Sequence, residues 1–477
     1  MGKGFQYNNA KYWQIAMFSF NNAATNLYMA LMGYVSYYAN SIAGFSVVLI
    51  SFLLTGMHVF DGITDPVAGF ILDKTKGRFG KFRPFMILGN LLMAGSVLLM
   101  FQVTHELPKS LRVIFFIAIY AMFILGYTFQ TVVGKSGQTV ITNNPRQRPI
   151  ATYFDSLFIM AAHGGTAVFV ANYLIPKYGD FKNEDLFKEY GFWIVLISLA
   201  ATLLAVIGIW EKDREKYYGA RNQKQKVRFR DYWDIIRHNR PIRMLITAAC
   251  MNKFASTVYG HTAVLVMLFG IMMNNYAVSG LIGIVTAVPT LFVVSAGIKV
   301  AQKMGQKKAF VLFTALGILF QILMMMVLMQ EEVNTITLNP KKLNLISVLF
   351  VGIFIILNGC KSITNNMVVP MIADCSDYEV YRSGKYVPGL MGALFSFVDK
   401  VFVALGTAFI GIILAAVGYN QGLPQVTDEL TDTIKWTTLF SYCIMPIIGW
   451  LLSLWSMQSY TLDKRRMREI QQKLQSD

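Results

Sequence analysis

Charge is what this sequence has least of: Asp, Glu, Lys and Arg supply only 14% of its 477 residues, against 55% hydrophobic residues and a mean hydropathy of +0.47. One soluble core cannot absorb that excess, and a soluble chain of this length would usually divide into several domains. Cysteine is scarce as well. Cys250, Cys360, Cys375 and Cys443 lie far apart, which excludes a disulfide framework and any metal-ligand spacing among them. There are five histidines, with no nucleophile–base pair or metal cluster legible around them, which argues against an enzyme. Residues Met1 to Lys11 are polar and no short apolar core with a small-residue cleavage site follows, so no removable signal peptide is expected. Disorder and a collagen-like chain are excluded by 35 Phe, 23 Tyr and 26 Met.

What is present is long apolar runs, the length that crosses hydrocarbon as a helix. Twelve are expected, at 12–39, 45–72, 84–104, 111–139, 151–175, 191–210, 242–272, 276–300, 308–330, 344–373, 386–418 and 434–460. The chain reads as an all-α membrane protein with twelve transmembrane helices in two six-helix halves. The halves are 1–210 and 242–460, joined by a linker at 211–241 and followed by a tail at 461–477. An internal repeat supports the division: Ala68-Gly69 through Gly80-Lys81 after the second run resembles Ala296-Gly297 through Gly305 to Lys308 after the eighth. Two parallel six-helix halves are the arrangement of major facilitator transporters.

The net charge of +17 invites a nucleic-acid reading, which the placement of the 43 basic residues rejects. Thirty-one of them fall in the termini and the loops of one face, and eight on the other (Lys109, Arg112, Lys177, Lys182, Lys188, Lys341, Lys342 and Lys435). Positive residues near helix ends are retained in the cytoplasm, so both termini and the linker are expected there, in a multi-pass plasma-membrane protein. The basic face can also meet anionic lipid headgroups, and a monomer is expected.

Ionisable groups inside the membrane usually mark a pathway. His58, Asp61 and Asp65 share one face of the second helix, with the two carboxylates one turn apart. Two such acids in a low-dielectric cavity need a proton on one or a cation between them, as an ion-coupling site does. The alternative is a structural salt bridge from each to a lysine. Lys135, Lys253, Lys361 and Lys400 are buried cations, Asp155 and Asp399 further acids, and pairs across the halves are expected to form and break. Gly134-Lys135-Ser136 is not a phosphate loop, because Phe129 stands where that motif needs Gly. Polar and aromatic side chains concentrate on the first helix (Asn21, Asn22, Thr25, Asn26, Tyr28, Tyr34, Tyr37, Tyr38), the fourth (Tyr127, Thr128, Gln130, Thr131) and the tenth (Asn358, Asn365, Asn366). Amides and aromatic faces suit sugar hydroxyls and ring faces, although the same residues also join helices.

The run Asp61-Gly-Ile-Thr-Asp65-Pro66, with Gly69, Asp73 and Arg78-Phe-Gly-Lys-Phe-Arg83-Pro84, resembles the second-helix motif of the glycoside-pentoside-hexuronide:cation symporters. Ala373-Asp374-Cys-Ser-Asp377-Tyr378, with Gly384-Lys385 and Gly389, is similar to that family's acidic-tyrosine loop after the tenth helix. Lys400 and Gly418-Tyr419 match its eleventh helix. The resemblance covers most of the chain. It implies that Asp61 and Asp65 bind sodium or carry a proton, with Thr128 an oxygen ligand and His58 beside them. No cofactor is implied beyond the co-transported H+ or Na+.

Departures from the family bear on substrate. Asn21-Asn22 replaces an early first-helix Asp, Thr131 stands where one member contacts sugar through Asp, and Thr152 replaces an Arg, with Asp155 one turn on. With Lys135 added, the cavity shifts toward positive. The expected substrate is therefore a glycoside, and an acidic one such as a hexuronide, held by Asn22, Asn26, Tyr127, Thr131, Lys135, Asp155, Asn366 and Lys400. A lipid or lysolipid transporter of the same fold is the alternative.

Overall fold

The computed structural model describes residues 9–75, 79–142, 147–214, 237–383, 388–420 and 422–476. Lys3, Lys76 to Arg78, Arg146, the linker stretch 215–236 and Gly384-Lys385 lie outside the described residues.

A helix occupies each of the twelve expected stretches. In order they are α1 (Tyr12–Met32), α2 (Val47–Lys74), α3 (Arg83–Val103), α4 (Lys109–Ile141), α5 (Arg148–Phe169, continued by a π-turn to Tyr178) and α6 (Glu184–Ile209). Then come α7 (Arg240–Tyr259, continued as Thr262–Met272 after a bend of 51°), α8 (Ala277–Met304), α9 (Gln306–Leu328), α10 (Leu345–Ser383), α11 (Pro388–Ala416) and α12 (Asp432–Gln458). A thirteenth helix, α13 (Lys464–Ser476), forms the tail. Side-chain caps set several starts: Ser46 accepts from Leu49 N (3.3 Å), Asn239 from Ile242 N (3.0 Å) and Thr431 from Ile434 N (3.3 Å).

Ten helices among the described residues are long and apolar enough to cross a membrane, and the bent pair of α7 makes an eleventh. The Asn-rich α1 is outside that set. Its Gln14, Asn21, Asn22 and Asn26 lower its hydropathy, and protein rather than lipid surrounds Gln14 and Asn21, each 2% exposed.

One expectation fails. Ala373 to Tyr378 is not a loop but a continuation of α10, which runs to Ser383. The segment has no glycine or proline to stop it, and Glu379 rewards the extra turns. That carboxylate, 1% exposed, accepts from Asn239 Nδ2 (2.8 Å) and Arg382 Nη2 (2.6 Å), fastening α10 to the start of α7.

The chain forms two compact units, Met1–Lys224 with Asn420–Leu423, and Gln225–Tyr419 with Pro424–Asp477. In the first, polar side chains join helices where water is absent. Thr25 donates to Gln130 Oε1 (2.8 Å), Asn21 to Gln130 O (3.1 Å), and Asn90 reaches Ser198 Oγ (2.9 Å) and Thr202 Oγ1 (2.7 Å), tying α1 to α4 and α3 to α6. In the second, Ile242, Phe310, Ile363, Met371, Met457 and Ile470 belong to one buried cluster that includes the tail helix.

The counterpart of Gly305 in the expected internal repeat, Gly77, lies outside the described residues, but a glycine of positive φ precedes a helix in each unit. Gly80 (φ +86°) precedes α3 and Gly305 (φ +89°) precedes α9, both in a region that only glycine enters freely. In the first unit the residue that grips the turn is Asp213, beyond α6. It accepts from the backbone N–H of Lys81 (2.9 Å), Phe82 (3.1 Å) and Arg83 (3.0 Å), and pairs with Arg83 Nε (3.2 Å). The Arg83 guanidinium lies 4.3 Å from the Trp210 ring centre. A Cβ on Gly80 would run into the Asp213 carboxylate.

Removing one partner of a buried charged pair costs about 3–5 kcal/mol. Asp213→Ala and Gly80→Ala should therefore each lower the unfolding temperature of the detergent-purified protein. The double variant should lose less than the sum of the two, because the clash of the new Cβ with the Asp213 carboxylate is shared while the strain at φ +86° and the approach to the Asp213 carbonyl remain; fully additive losses would show that the two side chains act separately.

Candidate cation and substrate sites

The acids of α2 meet α4 through a pair of hydroxyls. Thr64, one residue before Asp65, has its Oγ1 3.0 Å from the Asp61 carbonyl and 3.0 Å from Thr128 Oγ1. Both threonines are buried, and Thr128 donates to Ile124 O (2.9 Å). The next turn of α4 adds Thr131, which donates to Thr128 O (3.1 Å). Tyr127 is near enough to Asp61 and Asp65 to feel both charges. Asp61, Asp65 and His58 thus lie on the stretch of α2 whose Thr64 meets Thr128 of α4, and Tyr127 precedes Thr128 on that helix. Carboxylate and hydroxyl oxygens are the donors that a hard monovalent cation takes, and a carboxylate pair is also what a proton requires.

A second polar group lies on α1, α4 and α5. Asp155 of α5 accepts from Gln138 Nε2 (2.5 Å), with the side chains of Ser19 and Asn22 close by. Asn22 Oδ1 accepts from Asn26 Nδ2 (3.0 Å), and Asn26 Oδ1 lies 3.1 Å from His163 Nε2. Asn22, Asn26 and Asp155 therefore stand together, as the residue types suggested. Sequence reasoning missed Ser19, Gln138 and His163. The signal was helical spacing: Ser19, Asn22 and Asn26 are three and four apart, and His163 is eight residues beyond Asp155. Lys135 is exposed, one turn before Gln138.

The neighbouring Asn21 and Thr25, one position earlier on the same helix, face inward and are consumed by Gln130. The four tyrosines of the first stretch are likewise packed: Tyr28, Tyr37 and Tyr38 are fully buried, and Tyr34 meets Phe181 and Tyr190.

In the second unit the lysines divide. Lys253 of α7 pairs with Asp399 of α11 (3.3 Å), so this pair falls inside one unit rather than across the halves as expected. The reason is local, since α7 and α11 pack with the two residues at one level. Lys361 of α10 takes a different solution: its ammonium lies 3.5 Å from the Tyr259 ring centre and 5.6 Å from that of Trp450. Among the described residues no carboxylate is within ion-pairing distance of it. Trp450 Nε1 donates to Asn252 Oδ1 (2.8 Å), and Asn252 Nδ2 to Asn365 Oδ1 (3.0 Å), which places an amide pair one turn from Lys361. Asn366 is exposed and Lys400 half-buried beside Asp399.

Lys253→Met should leave Asp399 without its cation and lower both stability and surface expression. Lys253→Met with Asp399→Leu should recover most of that loss, because removing both charges removes the desolvation cost. A double variant no better than the single would show that the pair contributes nothing.

The chain matches the family model described as MFS/sugar transport protein over residues 17–464. It is 24% identical over 449 residues to the putative glycoside/cation symporter YagG of Escherichia coli, covering 94% of this chain and 91% of that one. It is 25% identical over 467 residues to the glucuronide carrier protein homolog of the same organism, covering 96% and 94%. Among solved structures, the xylose transporter XylE from E. coli superposes with a TM-score of 0.59 at 13% identity, covering 95% of this chain and 98% of that one. The acid-bearing second helix, the all-helical fold and these likenesses agree: the chain belongs to the MFS/sugar transport family, within the glycoside-pentoside-hexuronide:cation symporters, and is a multi-pass membrane sugar symporter rather than an enzyme.

Proposed function

We propose that this protein imports an acidic glycoside, such as a hexuronide, by alternating access, driven by H+ or Na+ taken up at Asp61 and Asp65. The carrying observation is the buried Thr64–Thr128 hydroxyl pair at 3.0 Å, which joins α4 to the turn of α2 that carries the two acids. Two ionised carboxylates one turn apart repel in a low-dielectric setting, and a proton or a sodium ion relieves that repulsion. Loading would then favour sugar binding on the neighbouring faces of α1, α4 and α5, and sugar would favour loading by the same factor. The protein acts as a monomer in the plasma membrane with both termini cytoplasmic, the side that holds 31 of its basic residues.

Lys361 supports the acidic class. A cation at membrane depth is costly without a counter-charge, and this one is held by aromatic faces alone among the described residues. Lys135 adds a second positive charge on α4. The likeness to a chain named a glucuronide carrier protein homolog points the same way.

Uptake into proteoliposomes tests both parts. Asp61→Asn and Asp65→Asn should each abolish accumulation against a gradient while leaving exchange of pre-loaded sugar; normal accumulation by both would refute the assignment. A response to sodium at fixed pH identifies Na+, and a response to pH without sodium identifies H+.

For substrate, Lys361→Gln and Lys135→Gln should raise the KM for a glucuronide by roughly tenfold, the size of one lost charged contact, and spare any neutral glycoside. Uptake of neutral glycosides alone by the wild type would overturn the acidic reading and leave the coupling reading standing.

A further inference from the structure

The end of the second unit that carries the C-terminus contains two adjoining cavities that neither the cation site nor the sugar site uses. The larger, about 590 Å³, is lined by Lys303, Lys307, Lys308, Lys464, Arg465 and Arg468, with Asp463 and Glu469 as its acids. The smaller, about 410 Å³, shares Gly305, Lys307, Asp463, Lys464 and Arg468 with it and is otherwise largely apolar, through Ile298, Ala301, Met367, Pro370, Leu462 and Met467, with Asp374 at its edge.

The walls are fixed. Met467 and Ile470 anchor α13 in the buried cluster of the unit, at 6% and 1% exposure. Lys464 Nζ donates to the carbonyls of Gln302 (3.1 Å) and Lys303 (3.0 Å), which closes the end of α8, and Lys307 Nζ donates to Tyr460 O (2.5 Å). Gly305 permits the contact, since a Cβ there would stand 2.9 Å from Lys464 Cβ.

The two acids of the larger cavity are already engaged, while Asp374 adds a carboxylate to the wall of the smaller one. Asp463 Oδ1 accepts from Arg466 N (2.8 Å), and Glu469 pairs with Arg466 (3.1 Å) and Arg465 (3.5 Å). Lys303, Lys308 and Arg468 are exposed and have no carboxylate within pairing distance among the described residues. Three uncompensated cations around a concave, positioned wall focus positive potential, which a scattered basic loop does not do.

We propose that this cavity binds a phosphate-bearing anion, with Lys303, Lys308 and Arg468 as its charged contacts. Arg468 supplies a planar fork for two phosphate oxygens, and the lysines supply point charges. The phosphate can belong to an anionic glycerophospholipid, whose glycerol portion would face the adjoining cavity, or to a small soluble phosphate ester; basic cavities beside transmembrane helices hold lipid phosphates in this way.

The test uses the full chain purified in a neutral detergent, with its unfolding temperature measured against phosphatidylglycerol, phosphatidylcholine and glycerol 3-phosphate. A rise with phosphatidylglycerol but not phosphatidylcholine identifies lipid, a rise with glycerol 3-phosphate alone identifies a soluble ester, and a rise with both identifies the phosphate group itself. In each case K303Q/K308Q/R468Q should weaken the half-saturating concentration by roughly tenfold or more. The control K182Q/K341Q/K342Q, with the same charge change elsewhere, should behave as wild type. No rise with any ligand, an undiminished rise in the first variant, or an equal loss in the control would overturn the proposal. These residues are exposed and bonded to nothing that holds the fold, so both variants are expected to purify as wild type.

Discussion

Hydrocarbon offers no hydrogen bonds, so every polar group at membrane depth must find its partner within the protein or belong to a place where something else arrives. The first helix shows how closely those two cases can sit. Asn21 and Thr25 spend their side chains on Gln130 and become part of the packing between α1 and α4. Asn22 and Asn26, one residue further round, join Asp155 and His163 in a linked polar face. A rotation of about 100° separates glue from candidate binding surface.

The charges in the spans obey the same constraint with three different outcomes. Lys253 and Asp399 neutralise each other across α7 and α11. Lys361 lies on the faces of Tyr259 and Trp450, a weaker compensation that leaves its field available to an anion. Asp61 and Asp65 share one face of α2, in the stretch whose Thr64 meets Thr128 of α4, and two carboxylates one turn apart are what the proposed coupling would use.

Much of the architecture was legible in the sequence because its signals are additive along the chain. Runs of apolar residues located twelve helices to within a turn at most ends, and the basic turns revealed the repeat. Helix ends were less legible where charged residues continue a helix, as in α10, whose last turns depend on Glu379 reaching Asn239 some 140 positions away. The same limit hid Gln138 and His163. Each looks ordinary in its own helix, and only the approach of α1, α4 and α5 gives it a role. The acids of α2 were visible because their anomaly is local: a charge within an apolar run needs no partner to be noticed.

The two glycine turns show how a repeated framework acquires different uses. In the first unit an acid, Asp213, accepts from the turn's backbone donors and pairs with Arg83. In the second unit Lys464, beyond the last span and next to Asp463, donates to the carbonyls at the end of α8. Backbone carbonyls are partly negative and accept that one cation, but they do nothing for Lys303, Lys308 and Arg468 nearby. The first turn is thus held by a carboxylate on backbone N–H groups and the second by an ammonium on backbone carbonyls, and the second borders the basic recess of Lys303, Lys308 and Arg468.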